Sequence, residues 1–420
     1  MQSKHIYIYI LIIGLITIGC QKLVNDPGTS TDPEIQSDEG LNYWGGSYND
    51  YGHAVVQTTD GGYAVVGSTY GTSEGDNLYL VKFDGSLNVE GTPLSYGGNS
   101  AAGSNAIVTT GNIAYTNYAK DLQQTPDGGY IAVGSTFNGT DYDVWVLKLG
   151  SDFTVTWEDT LKGTTTGNYN DFGNSIYQLE SGDYIICGTT YDGTDNELTL
   201  WKVGNAGSHD LDDVTGADGP FYQLGDNSTE DRGSYVTQTS DGGFIVVGTV
   251  PTGIQLVKLQ ANGSVDTGFS TDGLHIVGSA GDEGIYVQQL ENSDDYIVVG
   301  KTDGGAGSQS QVILKVIDND VAADGADLYS RTMGGAYNDI PECVRETGDG
   351  GFVVVGSKYE DGSMSQVWVT KLTSSLATVW DHTYGGDLDD FGNSIKQTTD
   401  GGYIITGSTM SYGNQSEIIL

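Results

Sequence analysis

Basic side chains are scarce in this sequence. Its 420 residues include 16 lysines and arginines against 56 aspartates and glutamates, which gives a formal net charge of −40 at pH 7. A chain this acidic is repelled by the phosphates of nucleic acids and by anionic membrane surfaces. The composition therefore argues against nucleic acid as a partner.

Proline and cysteine are also rare, with 7 and 3 residues respectively. Cys187 lies in the apolar run YIICG and Cys343 lies far away in PECVRE, so we expect two small buried side chains rather than a disulfide or a metal pair. No CxxC, HExxH or Walker sequence occurs. The sequence therefore predicts no catalytic residue, no metal ligand and no cofactor from its motifs.

A long apolar run occurs at the amino terminus, after Lys4, and spans only 13 residues, Ile6 to Ile18. A helix that crosses a bilayer needs ~20 residues, so the run predicts a removable export signal over residues 1–19. The following residues, Thr17 to Cys20, resemble the lipobox of bacterial lipoproteins, although that family usually has Leu at the position of Thr17. The resemblance implies that Cys20 is lipidated and that the membrane is contacted only through this anchor.

Gln21, in place of Asp, resembles the pattern that directs such lipoproteins to the outer membrane. Ordinary secretion with cleavage nearby is the alternative. Residues 20–40 are rich in Asp, Ser, Thr, Pro and Gly and lack hydrophobic periodicity, which predicts a flexible tether. Residues 41–420 form the predicted folded domain.

One motif, QTTDGGYIITGST at Gln397 to Thr409, has near-copies along that domain, seven copies in all. The copies align on the aromatic residue after the turn: Tyr63, Tyr130, Tyr184, Phe244, Tyr296, Phe352 and Tyr403. Neighbouring copies lie 51 to 67 residues apart, which is long enough for a four-stranded sheet and too long for one solenoid coil. Val, Ile, Tyr and Thr dominate the runs, and DGG between them is typical of a hairpin turn.

Seven four-stranded units predict an all-β fold, a seven-bladed β-propeller. The segment LNYWGG at Leu41 resembles a fourth strand, and SEIIL at Ser416 resembles a third strand. We therefore expect the amino-terminal strand to complete the last blade and close the ring, which removes an exposed sheet edge. An open β-solenoid or a pair of sandwiches is the alternative.

The recurring QTxDGGYIVxGST, followed by DVWVLKL and by an aromatic residue before YGG, resembles a large group of bacterial secreted and lipid-anchored proteins with propeller-like or quinoprotein-like repeats. The resemblance covers residues 42–420 and implies an exported propeller. Members are labelled lectin-like or endoglucanase-related, but these labels provide no residues that can be transferred to this chain.

Two charged positions recur in the units. The first is an acid or amide just before the first strand: Asp50, Asn117, Asp171, Asp231, Asp282, Asp339 and Asp390. These side chains could line the channel mouth as a cation or sugar site, but recurrence in every unit favours a structural role in fixing loops through backbone hydrogen bonds.

The second is a lysine in the third strand: Lys82, Lys148, Lys202, Lys258, Lys315 and Lys371. A lysine in an apolar strand is costly unless it is paired. We therefore expect each lysine to reach a carboxylate, with the repeated acid of a neighbouring blade as the favoured partner.

Segments that break the repeat are better candidates for function, because function is grafted onto a fold. They are an insertion from Asn99 and acidic loops from Ser208 and Asp318, and the acidic loops could hold calcium although neither has EF-hand spacing. The remaining candidates for chemistry are dispersed: Arg232, Arg331 and Arg345 occupy unlike repeat positions, and His53, His209, His275 and His382 recur with no Ser or Cys partner.

The sequence therefore predicts a non-catalytic binding or scaffolding lipoprotein of the bacterial cell envelope. We expect it to contact an envelope protein or a polysaccharide through loops on one face of the propeller. The alternative is a carbohydrate-active enzyme, which would need two close carboxylates and aromatic platforms from different blades.

Overall fold

The computed structural model describes residues 43–44, 49–71, 75–96, 116–163, 168–207, 222–224, 229–270, 272–303, 309–319, 327–359, 364–411 and 416–420. The predicted signal peptide, the tether and Cys20 lie outside these residues. Within the described part every regular element is a β-strand, and no helix there has the length and apolar character to cross a bilayer.

In the described part of the chain, twenty-eight strands form seven antiparallel sheets of four strands each. The first strands are β2 (Asp50–Gln57), β6 (Asn117–Gln124), β10 (Asp171–Gln178), β14 (Arg232–Gln238), β18 (Glu283–Gln289), β22 (Asp339–Glu346) and β26 (Asp390–Gln397). The second strands are β3 (Tyr63–Gly71), β7 (Tyr130–Phe137), β11 (Tyr184–Tyr191), β15 (Phe244–Val250), β19 (Tyr296–Asp303), β23 (Phe352–Tyr359) and β27 (Tyr403–Thr409).

The third and fourth strands continue each sheet outward. The third strands are β4 (Gly75–Phe83), β8 (Tyr142–Leu149), β12 (Asn196–Val203), β16 (Gly253–Leu259), β20 (Ser310–Ile317), β24 (Ser365–Leu372) and β28 (Glu417–Ile419). The fourth strands are β5 (Val89–Tyr96), β9 (Val155–Leu161), β13 (Tyr222–Leu224), β17 (Leu274–Val277), β21 (Asp327–Met333), β25 (Thr378–Tyr384) and, for the last sheet, β1 (Tyr43–Trp44).

Turn chemistry explains why the first two strands of each sheet pair. In the second blade, Thr125 N donates to Gly129 O at 2.9 Å and Gly128 N donates to Thr125 O at 2.9 Å. Gly128 has a φ of 81°, a conformation that glycine adopts at no steric cost. The DGG motif is therefore repeated because the hairpin requires it.

The sheets are arranged as blades of a ring. Each first strand contacts the first strands of both neighbouring sheets, including β26 with β2, and apolar side chains pack between adjacent sheets. The last sheet contains both ends of the domain, since Tyr43 pairs with Ile419 and Trp44 pairs with Ile418. The prediction of a seven-bladed propeller closed by an amino-terminal strand is confirmed, and the open solenoid and the paired sandwiches are wrong.

The central channel has two distinct ends. All first strands run in the same direction along it, so each begins at one end, which we call the strand-start end. The DGG hairpins lie at the opposite end, which we call the hairpin end, because each first strand finishes there.

Candidate functional site

The repeated acids lie at the strand-start end, and all seven side chains of this set are buried. Asp390 Oδ2 accepts hydrogen bonds from Gly386 N at 2.9 Å and from Ser411 Oγ at 2.7 Å. Asp171 Oδ2 accepts one from Gly163 N at 3.0 Å. These contacts hold the segments that lead into the last and third blades. None of the seven side chains lines the cavity that the structure forms in the central channel.

The repeated lysines all contact a carboxylate. The pairs are Lys82 with Asp60 (2.5 Å), Lys148 with Asp127 (3.0 Å), Lys202 with Asp183 (3.8 Å), Lys258 with Asp241 (2.7 Å), Lys371 with Asp349 (2.8 Å) and Lys315 with Asp327. Except for Asp327, which lies on a fourth strand, these partners are turn aspartates of the same blade and not the favoured acid of a neighbouring blade. The register is the reason: Lys258 pairs with Ile245, directly after the hairpin, whereas the repeated acid lies at the opposite end of the blade.

Four of the turn aspartates, Asp60, Asp127, Asp241 and Asp349, have lowered pKa values. Hydrogen bonds from Lys82 and then from Thr58 lower the pKa of Asp60 to about 2. Stability from this pairing is therefore present above the ordinary carboxyl pKa of ~3.9 and is lost as the pH falls through about 2.

Lys258 provides a direct test of the structural role of these lysines. Its side chain is 2% exposed, and Nζ donates to Asp241 at 2.7 Å and to Leu259 O at 3.3 Å. Lys258→Met should lower the free energy of unfolding by about 2 kcal/mol, because charge-assisted hydrogen bonds are lost while Asp241 regains water. Urea denaturation measures this, with Arg232→Met, which removes an exposed ion pair, as the control. Equal stability of the two variants would contradict the pairing.

The repeated glutamine joins neighbouring blades at the hairpin end. Gln124 Oε1 accepts a hydrogen bond from Thr59 N of the preceding blade at 2.8 Å. Gln57 Oε1 accepts one from Thr399 N at 3.1 Å, across the closure of the ring. The most regular polar positions are thus engaged in structural contacts, and functional positions should be sought where the repeats differ.

A β-bulge interrupts every first strand at the same position, where the pairing register with the second strand skips one residue. Bulges re-aim side chains. The bulged residues are His53, Lys120, Asn174, Ser234, Ile285, Glu342 and Asn393, and all seven line a channel cavity of about 490 Å³. We call them the bulge ring. A small-molecule site typically has a volume of ~300–1,000 Å³.

Three members of the bulge ring hydrogen-bond to the next blade. Asn174 Nδ2 donates to Gly233 O at 2.7 Å, and Ser234 Oγ donates to Gly284 O at 2.6 Å. Asn393 Nδ2 donates to Gly52 O at 2.7 Å. Each of these bonds reaches the next blade, so they close the inner circle of strands.

Other members of the ring carry titratable groups. The Glu342 side chain is exposed to the channel. Because protein surrounds the channel, the carboxylate is poorly solvated there. This desolvation raises the pKa of Glu342 to about 7 despite the opposing charges of Lys120 and Lys301. Burial, with Lys120 nearby, lowers the pKa of His53 to about 4. His53 Nε2 lies 3.1 Å from Ser68 Oγ. At neutral pH the ring therefore contains a neutral imidazole and a carboxyl group near its titration point.

Arg345 lies next to the bulge ring and is held on two sides. Its Nε donates to Ile395 O at 3.3 Å, and its guanidinium carbon lies 4.4 Å from the centre of the Tyr286 ring. Tyr286 and Tyr235 have ring centroids 4.0 Å apart, and Tyr286 Oη lies 3.2 Å from Tyr235 Oη. This aromatic pair and the guanidinium lie in one wall of the cavity.

Lys396 and Asp121 complete the group of charges. Arg345, and then burial, lower the pKa of Lys396 to about 8, which indicates two cations close together. Burial raises the pKa of Asp121, whose Oδ2 accepts hydrogen bonds from Ser175 Oγ at 3.2 Å and Ile176 N at 3.1 Å. The channel thus contains basic and acidic groups from different blades.

Lys120, Asp121, Glu342 and Lys396 were not predicted from the sequence as functional candidates. The sequence contains a signal that could have identified this position. When the units are aligned on the repeated acid or amide, the bulge-ring residue lies three residues later in every unit, and its charge varies from unit to unit. Asp121 falls four residues after the acid or amide, and Arg345 and Lys396 fall six residues after it.

The other residues considered for catalysis are dispersed. Arg232 is exposed beside Glu230, Arg331 lies on β21 and bonds Thr378 Oγ1 at 2.7 Å, and His382 stacks on Trp380 with centroids 5.4 Å apart. His209 lies outside the described residues. In the described part of the chain these side chains form neither an arginine cluster nor a triad with Ser or Cys.

Both described cysteines are buried and free of disulfides. Burial raises the pKa of Cys187, and it raises the pKa of Cys343 to about 12. Thiols in this state are poor nucleophiles. The geometry agrees with two small buried side chains.

Among the described residues, acidic oxygens converge at one further place, the turn before β12 and the start of that strand. Carboxylate oxygens of Asp192, Asp195 and Glu197 lie within 4.8 Å of one another. The corresponding turn of the second blade has Asn138 in place of Asp192, and its amide donates to Asp143 at 3.0 Å. The insertion from Asn99 and the acidic loop from Ser208, as well as most of the loop from Asp318, fall outside the described residues.

No family model matches the chain, and no curated protein matches it. Solved structures are similar to the chain at low identity. Sqt1 of Chaetomium thermophilum, bound to the N-terminus of ribosomal protein L10, is 12% identical with a TM-score of 0.49, covering 89% of this chain and 97% of that chain. The α-L-arabinofuranosidase Arb93A of Fusarium graminearum, in complex with an iminosugar inhibitor, is 12% identical with a TM-score of 0.44, covering 89% and 92%.

A neuraminidase-like protein of subtype N10 from A/little yellow-shouldered bat/Guatemala/060/2010 is 10% identical with a TM-score of 0.38, covering 76% of this chain and 90% of that chain. These structures include one of a protein bound to a partner and one of an arabinofuranosidase. Similarity at this level carries no inference about activity. The chain is a seven-bladed β-propeller, and its function must be argued from its own residues.

Proposed function

We propose that this protein is a non-catalytic binding lipoprotein of the bacterial cell envelope, with a polysaccharide or an envelope protein as its partner. The observation that carries the proposal is the contrast between two sets of polar residues. Repeated ones are engaged in turns and blade contacts, whereas unrepeated Lys120, Asp121, Glu342 and Arg345 converge on the channel cavity. Convergent polar groups in a cavity are typical of a binding site.

Aromatic side chains at the strand-start end favour a polysaccharide over a protein. Tyr142 contacts Tyr118, Phe137 and Phe172, with ring centroids 6.2, 5.2 and 5.6 Å away. All four side chains are partly exposed. We call them the aromatic cluster. The four rings offer apolar faces, and the hydroxyl groups of Tyr118 and Tyr142 add polar tips, which together suit an amphipathic ligand such as a sugar.

A glycan array tests the binding proposal. The chain from residue 20 onward, carrying Cys20→Ser to keep it soluble, is applied with and without a calcium chelator. We expect binding to envelope-type polysaccharides, with Tyr142→Ala weakening it, because the centre of the aromatic cluster is lost. Binding that persists with the chelator indicates a calcium-independent site. Binding that the chelator abolishes indicates a site that uses the acidic loops. No binding to any glycan would exclude a polysaccharide among those tested and leave an envelope protein as the proposed partner.

Lipidation at Cys20 would place the propeller on the outer membrane. Cys20→Ser should abolish incorporation of labelled palmitate and release the protein from the membrane fraction, since the lipid-bearing thiol is lost. Cys187→Ser serves as the control, because that thiol is buried in the fold. Continued membrane association of the Cys20→Ser protein would contradict the anchor and support ordinary secretion.

A carbohydrate-active enzyme is the second candidate, favoured by Glu342, whose pKa of about 7 suits a general acid at neutral pH. In this alternative, hydrolysis of a bound glycan declines above pH 7, because the required proton is lost, and Glu342→Gln abolishes it. Reducing-sugar release measures the activity. Binding without release of sugar, unchanged in Glu342→Gln, supports the non-catalytic proposal.

A further inference from the structure

Positive charge in this protein is mostly neutralised locally. Ion pairs with carboxylates involve Lys82, Lys148, Lys162, Lys202, Arg232, Lys258, Lys301, Lys315, Lys358 and Lys371. Among the described residues, no carboxylate lies within 4.0 Å of the charged nitrogens of Lys120, Arg345 or Lys396. In the part of the chain that the structure describes, Arg331 also lacks an ion pair, but it bonds Thr378 Oγ1 on an outer strand. Lys120 and Arg345 line the channel cavity, and Lys396 directly follows Ile395, whose carbonyl oxygen accepts from Arg345 Nε. Three cations without a salt bridge therefore lie in or beside the channel cavity of a protein with a net charge of −40.

We infer that the channel cavity binds the carboxylate of an acidic saccharide, with Arg345 as its main contact and Lys120, which also lines the cavity, as a supporting cation. This inference rests on the proposed function and specifies the ligand class of the same site. The guanidinium is a planar fork that matches a carboxylate bidentately. It is also pre-oriented, because Tyr286 covers one face and Ile395 O accepts from Nε.

The surroundings of Arg345 favour an incoming anion. Lys396, on the adjacent blade, has its pKa lowered to about 8 first by Arg345, so the two cations repel each other. Asp121 offsets this charge in part, but its Oδ2 already accepts hydrogen bonds from Ser175 and Ile176. An incoming carboxylate would relieve the repulsion between Arg345 and Lys396 without displacing these bonds.

The polar lining suits the remainder of a sugar. Asn174 and Asn393 use their amide N–H groups on backbone carbonyls of the neighbouring blades, so their amide oxygens can accept from hydroxyl groups. Lys120 lines the same cavity as Arg345, which places a second cationic donor in the bulge ring. The cavity of about 490 Å³ has the size of a small-molecule site.

Isothermal titration calorimetry of the chain from residue 20 onward, with Cys20→Ser, tests the inference. The probes are galacturonate and glucuronate oligosaccharides, their neutral counterparts, acetate and inorganic phosphate. We expect the uronates to bind at least about tenfold more tightly than the neutral sugars. Arg345→Gln should reduce the affinity for uronates to about that for neutral sugars, because a charge-assisted pair is lost. Arg331→Gln, which loses hydrogen bonds between outer strands, should bind as the parent does.

Two results would overturn the inference: equal binding of acidic and neutral sugars, or no saturable binding of any uronate. Phosphate binding without uronate binding would also overturn it. If Arg345→Gln fails to fold, NMR titration of Lys396 replaces it, and the pKa of Lys396 must rise when a uronate binds. Neutral glycans that bind equally to the parent and to Arg345→Gln would leave the proposed function intact while excluding this ligand class.

Discussion

Ile418→Asp should open the propeller ring and lower the free energy of unfolding by more than about 4 kcal/mol. Ile418 is fully buried and packs between the last and first blades with Val55, Val81 and Ile404. It pairs with Trp44 on one side and with Ser408 on the other. An unpaired carboxylate in this apolar position has no compensating hydrogen bond, which is among the most destabilising single changes.

Thermal unfolding followed by circular dichroism measures the effect, and limited proteolysis reports whether the ends of the domain have separated. Val379→Asp is the matched control, because Val379 is 50% exposed on an outer strand. We expect the control to melt near the parent. An Ile418→Asp protein as stable and protease-resistant as Val379→Asp would show that the ring does not depend on this contact between the chain ends.

Gly134→Ala is the second change with a large expected effect, about 3 kcal/mol of destabilisation. A Cβ at this position would lie 1.9 Å from Tyr118 O and 2.6 Å from Ala119 Cα. Both neighbours are backbone, so neither can move aside without shifting a strand, and overpacking of this kind costs on the order of 1–3 kcal/mol or more. Gly134 pairs with Ala119, directly before the bulge at Lys120, so the change should also disturb the channel.

Gly128→Ala in the same blade is the control. Gly128 has a φ of 81°, and a methyl group added there would have no atom within 4 Å, so only backbone strain is expected, about 1 kcal/mol. Urea denaturation measures both variants. If Gly128→Ala were the more destabilised, close approach of the strands would not explain why a glycine occupies this place in each second strand.

The architecture of the blades could be predicted from the sequence because its causes are local. A DGG turn between two runs of Val, Ile and Tyr determines a hairpin within a short stretch of chain, and seven repetitions of one unit determine the ring. The pairing of Lys258 with Asp241 shows the limit of this reasoning. A lysine in a strand needs a carboxylate, but strand register decides whether a turn aspartate or an aspartate of another blade lies within reach.

The candidate site, in contrast, could not be predicted from local sequence. Lys120, Glu342 and Arg345 come from distant parts of the sequence and meet only because the ring closes and a bulge in each first strand directs one residue into the channel. The sequence by itself determined seven blades, their turns and the closing strand, since these depend on neighbouring residues. The tertiary structure alone decided which unrepeated charges share one cavity, since that depends on register and on packing between blades.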